Sequence, residues 1–188
     1  MKKSALFTAL ALTTALTSTP LLADQQRAGE ARAAIQEFAK SLQGELGAAM
    51  KAGGPTQAIE VCNTRAPEIA ADMSKQKGMN IARTSLKTRN AKNKPDAWEQ
   101  KVLESFEQRK AAGEDVAKID HFEVVTNDGK QEFRYMKAIP TGEVCLKCHG
   151  TEIDPAVIGK LDGLYPQDTA RGFKQGDIRG AFTIRQAM

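Results

Sequence analysis

Apolar residues recur at spacings of three and four over Ala28–Lys51, at Ile35, Phe38, Leu42, Leu46 and Met50, with Lys, Glu and Gln between them. That period predicts an amphipathic helix. Gly53-Gly54-Pro55 stops it, and Pro55 suits the first turn of a second helix over about Thr56–Asn63, where Ile59 and Cys62 share a face. Pro67 opens a third helix carrying Ile69 and Met73, which Gly78 ends. Alternation over Met79–Leu86 predicts a strand, followed by a polar, basic loop over Lys87–Lys94. A helix from Pro95 to near Gly113 buries Trp98, Val102, Leu103 and Phe106.

The clearest β signal follows. His121–Thr126 and Lys130–Ala138 are rich in Val, Phe and Tyr and flank Asn127-Asp128-Gly129, a hairpin turn. Pro140-Thr141-Gly142 breaks the second strand, a short helix is expected over Pro155–Leu161, and Ile178–Gln186 reads as a last strand. The expected fold is therefore α+β, a small antiparallel sheet flanked by several helices.

The first residues carry a different pattern. Lys2 and Lys3 precede Ser4–Leu16, an uncharged and mostly apolar run, and Ala23 stands before a candidate cut at Asp24. These are the parts of an export leader. The run is shorter than the ~20 apolar residues that span a bilayer, so no permanent membrane anchor is expected. The reading is a signal peptide over 1–23 and one domain over 24–188, exported to the periplasm. Loss of Lys2 and Lys3 takes the net charge from +4 to +2. A near-balanced surface of mixed sign excludes the concentrated basic face of a nucleic-acid binder.

Cysteine usage changes the picture most. There are three, an odd number for a chain sent to an oxidising compartment. Two belong to Cys145-Leu146-Lys147-Cys148-His149, the C-x-x-C-H pattern of covalent haem attachment. Each thiol adds to one haem vinyl group, and the adjacent histidine reaches the iron from one face. A thiol–disulfide site would follow a βαβ pattern and would not need His149. A zinc site would need a fourth ligand, for which Cys62 and His121 are candidates.

The ligand on the other face of the iron decides what such a protein does. Candidates are Cys62, His121, Met50, Met73, Met79 and Met136. Methionine at helical spacing ordinarily fills core, and His121 opens a strand beside the hairpin. On residues alone, Cys62 and the methionines stand level. Arg83, Lys87, Arg89 and Asn90 form the densest group of donors for the haem propionates, against the plainer reading of a solvated basic loop. Tyr135 and Tyr165 are candidates to line the macrocycle, or else ordinary half-buried residues.

Five stretches carry a resemblance. They are Ile59-Glu60-Val61-Cys62; Arg83-Thr84-Ser85-Leu86-Lys87 with Arg89-Asn90 and Asn93; Cys145–Gly150; Tyr165-Pro166-Gln167-Asp168-Thr169-Ala170; and Gly176-Asp177-Ile178-Arg179-Gly180. In this order they resemble a family of single-haem c-type cytochrome domains with a PAS-like fold, long catalogued as a domain of unknown function. The resemblance spans nearly all of the chain after the leader. It implies one covalent haem c, with His149 as one axial iron ligand and Cys62 as the other. Ala91 departs from that pattern, which has proline there. Relatives often carry the domain as the sensing part of a membrane receptor, whereas this chain ends at Met188 without an output module. The expectation is thus an electron carrier with a redox partner protein. A redox or gas sensor that binds CO or NO when Cys62 leaves is the alternative, and a peroxidase-like enzyme the third class.

Overall fold

The computed structural model describes residues 20–188. The basic and apolar parts of the expected leader, residues 2–16, lie outside the described residues, and the candidate cut before Asp24 falls inside the first helix.

That helix, α1, runs over Pro20–Glu60. It holds the first expected helix and the start of the second, whose end with Cys62 falls on the turn that follows, because Gly53 and Gly54 leave helical dihedrals without ending the hydrogen-bonded run; Gly54 has φ 69°. The break expected before Pro67 is replaced by one π-helical turn, Val61–Arg65, which leads directly into α2, Ala66–Lys77. Pro67 fits there because the first turn of a helix has no N–H acceptor to lose. Gly78, at φ 65°, ends α2 as a left-handed cap and donates its N–H to Ser74 O. α3 covers Ala97–Ala111, two residues after Pro95, because Asp96 is the better cap: its side chain accepts from Glu99 N at 2.7 Å and its own N–H donates to Glu99 Oε2 at 3.0 Å. The motif lies on α4, Glu143–His149, and α5 covers Pro155–Leu164.

Strands β1 (Asn80–Thr84), β2 (Asp120–Asn127), β3 (Lys130–Pro140) and β4 (Ile178–Ala187) form one antiparallel sheet in the order β1-β4-β3-β2. The β2–β3 turn places Asp128 at φ 51° and Gly129 at φ 75°, the left-handed pair of a type I′ hairpin. β1 stops at Thr84, short of the expected Leu86. There β4 crosses so closely that a Cβ on Gly180 would meet Thr84 O at 2.4 Å.

The alternation of strand residues assigns one helix layer to each face. Ile81, Phe133, Tyr135 and Ile184 pack under Ile35 and Phe38 of α1 and Ile69 of α2. Met136, Ala138, Ala181 and Ile178 pack under Val102, Leu103 and Phe106 of α3. Each large side chain buried this way stabilises the fold by about 1.5–3 kcal/mol. A smaller cluster joins Val157 and Leu161 of α5 and Tyr165 to Ile59 of α1, with Cys148 at its edge. The result is the expected α+β, PAS-like arrangement. Among the described residues, no helix is long and apolar enough to cross a membrane.

Candidate functional site

On α4, Cys145, Cys148 and His149 stand at positions i, i+3 and i+4, so one helix face presents all three. Gly150 ends the helix where a Cβ would meet Leu146 O at 2.6 Å. The three residues line a cleft between α4, α1 and the β1–β4 edge, with about 1230 Å³ of atom-free space including its mouth. Cys62, on the π turn, lines the same cleft, as do Leu42, Leu46, Ile59, Ile139 and Phe182. All three cysteines are free thiols. Burial pushes the Cys148 thiol up.

His149 is held in one tautomer. Its Nδ1 lies 2.7 Å from Ala170 O. A carbonyl only accepts, so Nδ1 carries the proton and Nε2 keeps its lone pair. Burial, then the charges of Arg179 and Arg89, push the imidazole down to about 2, so it is neutral at ordinary pH. The segment after α5 supplies this frame: Phe173 N–H donates to His149 O and Gly172 N–H to Gly150 O, both at 2.9 Å.

Arg89 ties the frame together from the loop after β1. Its guanidinium donates to Cys148 O at 2.6 Å and to Ala170 O at 3.2 Å, and Nε donates to Asp168 Oδ1 at 3.2 Å. The Asp168 side chain is only 1 % exposed. Burial works against its charge, but Arg171, the Ala170 N–H and Arg89 outweigh it and hold the carboxyl below its usual range. Arg83, on β1, lies over the Phe38 ring in the cleft wall. Burial lowers its guanidinium, while nearby Cys62 and Tyr165 support the charge. Arg179, at the start of β4, is pushed down to about 10 by burial and by Arg89 and Arg83.

Of the other expected residues, Met50 lines the cleft. Met73 and Met79 are core between α2 and the sheet, and Met136 is core on the opposite face. His121 stacks on Trp98 and approaches Glu123 at 3.7 Å, outside the cleft. Asn90 does not line the cleft; its side chain accepts from Lys92 N at 3.0 Å and caps the turn Ala91–Asn93. Lys87 turns its ammonium onto Phe173 instead. Tyr135 donates to Asp120 Oδ2 at 2.7 Å, and Tyr165 belongs to the α5 cluster beside the cysteines. Among the described residues, no three His, Cys, Asp or Glu side chains are grouped as a bare-metal centre, so the geometry lends nothing to the zinc alternative. Arg179 and the Asp168–Ala170 segment are the additions that residue-by-residue reading missed. The signal for both was the place of Asp168 in Tyr165–Ala170 and of Arg179 in Gly176–Gly180, two of the stretches that carry the resemblance, which spacing alone cannot bring to Cys145.

A PAS-like α+β domain with a cysteine- and histidine-lined cleft against its sheet is thus the class defined by fold and site. The chain belongs to the Tll0287-like family, whose model matches residues 10–187. Its structure is similar to the crystal structure of the cyanobacterial haem protein Tll0287, with a TM-score of 0.65 and 19% identity over 91% of this chain and 98% of that one. At that identity the likeness speaks for the fold. No curated protein matches the chain significantly.

Proposed function

We propose that this protein is an exported, periplasmic monohaem c-type cytochrome that transfers electrons to or from a partner protein. Cys145 and Cys148 would hold the haem as thioethers, and His149 and Cys62 would hold its iron. The observation that carries the reading is the His149 tautomer: a proton fixed toward Ala170 O and an unprotonated Nε2, met by Arg179 Nε at 3.3 Å, in the cleft that also holds three free thiols.

The residues present fit the group. Leu42, Leu46, Ile59 and Phe182 offer apolar walls to a macrocycle. Arg83 and Arg179 are desolvated cations in the same wall, and a haem brings two carboxylates. Bound haem iron supplies one-electron chemistry. The chain's part is to hold both axial donors still, exclude water and set the potential. A Cys62 thiolate favours the ferric state, whereas Met50 in its place would raise the potential. That the structural neighbour is titled a haem protein supports the same reading. Export rests on the leader pattern of the sequence.

Sensing of redox state or a diatomic gas is the second reading, and the position of Cys62 favours it. The π turn Val61–Arg65 joins α1 to α2, so a displacement of its sulfur reaches both helices. A peroxidase-like reading draws no support from His121, which lies outside the cleft.

Absorption and EPR spectra of the ferric and ferrous protein test the proposal. A low-spin ferric signal lost in Cys62→Ala, with no Soret shift when CO follows dithionite, is expected of the carrier. Rapid CO binding would favour the sensor, and a high-spin ferric spectrum would sink the Cys62 assignment.

A further inference from the structure

The mouth of the cleft has three edges. Gln43 and Met50 of α1 form one, Asn93 of the turn Ala91–Asn93 another, and Val144 and Cys145 of α4 the third. Val144 is 55 % exposed, an apolar side chain left in water next to the first cysteine of the motif.

Each edge carries exposed lysines. Lys40 follows Ala39 and Lys51 follows Met50 on α1, Lys92 and Lys94 flank Asn93, and Lys147 precedes Cys148. One helical position is a turn of about 100°, so Lys40 and Lys51 flank the lining stripe of α1 on the same side. Among the described residues, none of the five forms an ion pair, whereas Lys77, Lys110 and Lys160 are each paired with a carboxylate. The acidic residues next to lining positions do not offset the five. Glu45 and Glu60 are taken by Arg65 and Lys160, each at 2.7 Å, which leaves Glu143. The rim therefore sets five positive charges against one negative, in a chain that sums to only +2 after the leader.

Unpaired lysines gathered round one opening repel each other and add nothing to the fold. Their field draws in an anionic partner and orients it. An apolar residue inside a charged rim is also how a protein interface is built. A membrane surface fits less well, because the mouth is concave and Val144 is its one large exposed apolar side chain to insert among lipids.

We propose that this lysine rim is the docking surface for the electron-transfer partner, and that the partner is a protein presenting a carboxylate-rich patch. The inference rests on the carrier reading above and adds the chemistry of the partner.

Two probes test it on the full holoprotein. Fluorescence anisotropy of a labelled decaglutamate peptide reads binding at about 10 mM ionic strength, where charges act over ~30 Å. Stopped flow reads electron transfer, as the ferrous holoprotein gives one electron to ferricyanide, which becomes ferrocyanide. Lys92→Glu with Lys94→Glu should weaken peptide binding and slow the ferricyanide reaction, each at least about fivefold. The control pair, Lys101→Glu with Lys130→Glu, changes the net charge equally. It does so on α3, across the sheet, and at the start of β3, about 30 Å along the strand from Ile139. That pair should alter either readout by less than about twofold, and salt at about 0.2 M should erase most of the difference between the pairs. A mouth pair that behaves like the control pair overturns the proposal. Should circular dichroism show the mouth pair unfolded, Lys40→Glu with Lys51→Glu is judged by the same criterion. A parent that ignores the peptide but sediments with vesicles of phosphatidylcholine and about 30 % phosphatidylserine also overturns it, and assigns the rim to a membrane. Haem staining is the separate control. A parent chain that takes up no haem refutes the carrier reading, while the peptide comparison, which needs no iron, still decides whether the rim binds an acidic protein surface.

Discussion

Each face of the sheet carries a group of arginines around one buried member, Arg134 on one side and Arg89 on the other, and the two groups are balanced differently. On the α3 face, Arg134 lies 2.7 Å from Asp96 and 3.4 Å from Glu99, and Arg185 lies 2.8 Å and 3.3 Å from the same two carboxylates. Thr183 Oγ1 donates to Glu99 at 2.8 Å, and Trp98 covers the Arg134 guanidinium at 4.3 Å. Glu132 also lies 3.7 Å from Arg134, so the two cations have three carboxylates within reach. On the α1 face, Arg83, Arg89 and Arg179 line the cleft, and the nearby carboxylate of Asp168 already serves Arg89 and Arg171. Cations supplied in the first way need nothing further. A surplus of desolvated cations costs stability unless an anion arrives. The same residue type is thus a structural clamp on one face and, under the haem proposal, a receiver for the ligand's carboxylates on the other.

The largest expected effect comes from breaking the cluster on the α3 face. Glu99→Ala takes a buried carboxylate from Arg134, whose side chain is 5 % exposed, and with it the bonds from Thr183 Oγ1 and Asp96 N, leaving Asp96 and Glu132 as the remaining counter-charges. Urea unfolding should show a loss of about 3–5 kcal/mol. Arg89→Ala removes the one cleft arginine that is balanced, together with its bonds to Cys148 O and Ala170 O. About 3 kcal/mol should be lost by the same measurement, because buried Asp168 keeps only Arg171. If Arg89→Ala were neutral, the division between clamp and surplus would fail.

Acid sharpens the comparison next. Folding holds the carboxyls of Asp96 and Asp168 below their usual range. At Asp96 the Glu99 N–H, Arg134 and Arg185 outweigh the opposing effect of burial. A carboxyl lowered in the folded state stabilises fully above its unfolded value, about 4, and that share is lost as pH falls through the folded value. Unfolding free energy should therefore decline below about pH 4, with a shallower slope in Arg89→Ala, which loses part of the Asp168 contribution. The smallest effect is the most telling. Arg83→Met removes a cation with no carboxylate partner, so the chain made without haem should hold its stability or gain up to about 1 kcal/mol. Haem retained after mild acid–acetone treatment and dialysis, or the reduction potential of the holoprotein, should change in the same variant. A large loss of stability there would mean that the surplus cation is structural after all.

Much of this was readable along the chain. The hairpin at Asp128-Gly129 follows from two residues tolerant of positive φ. The strands and α3 follow from their periods, and the motif from its five residues. Boundaries moved where a local competitor won: Asp96 over Pro95 as the start of α3, and the tight crossing at Gly180 over the alternation that ran on to Leu86. Asn90 and Lys87 looked like anion ligands by composition. One is consumed by a local cap and the other by an aromatic ring, contacts that residue type does not reveal.

By itself, the sequence determined which chemistry is available: a C-x-x-C-H motif, one further cysteine, and enough alternating and helical pattern for an α+β fold. Those properties are local, set by spacing over a few residues and by side-chain type. Only the tertiary structure decided which distant groups share a cleft. It brought Cys62 to the motif 83 residues away, excluded His121 and three of the four candidate methionines, and set Arg179 on His149. It also decided which arginines find carboxylates. Charge balance in a low-dielectric interior depends on distance through space, and no pattern along the chain encodes that before the strands have paired.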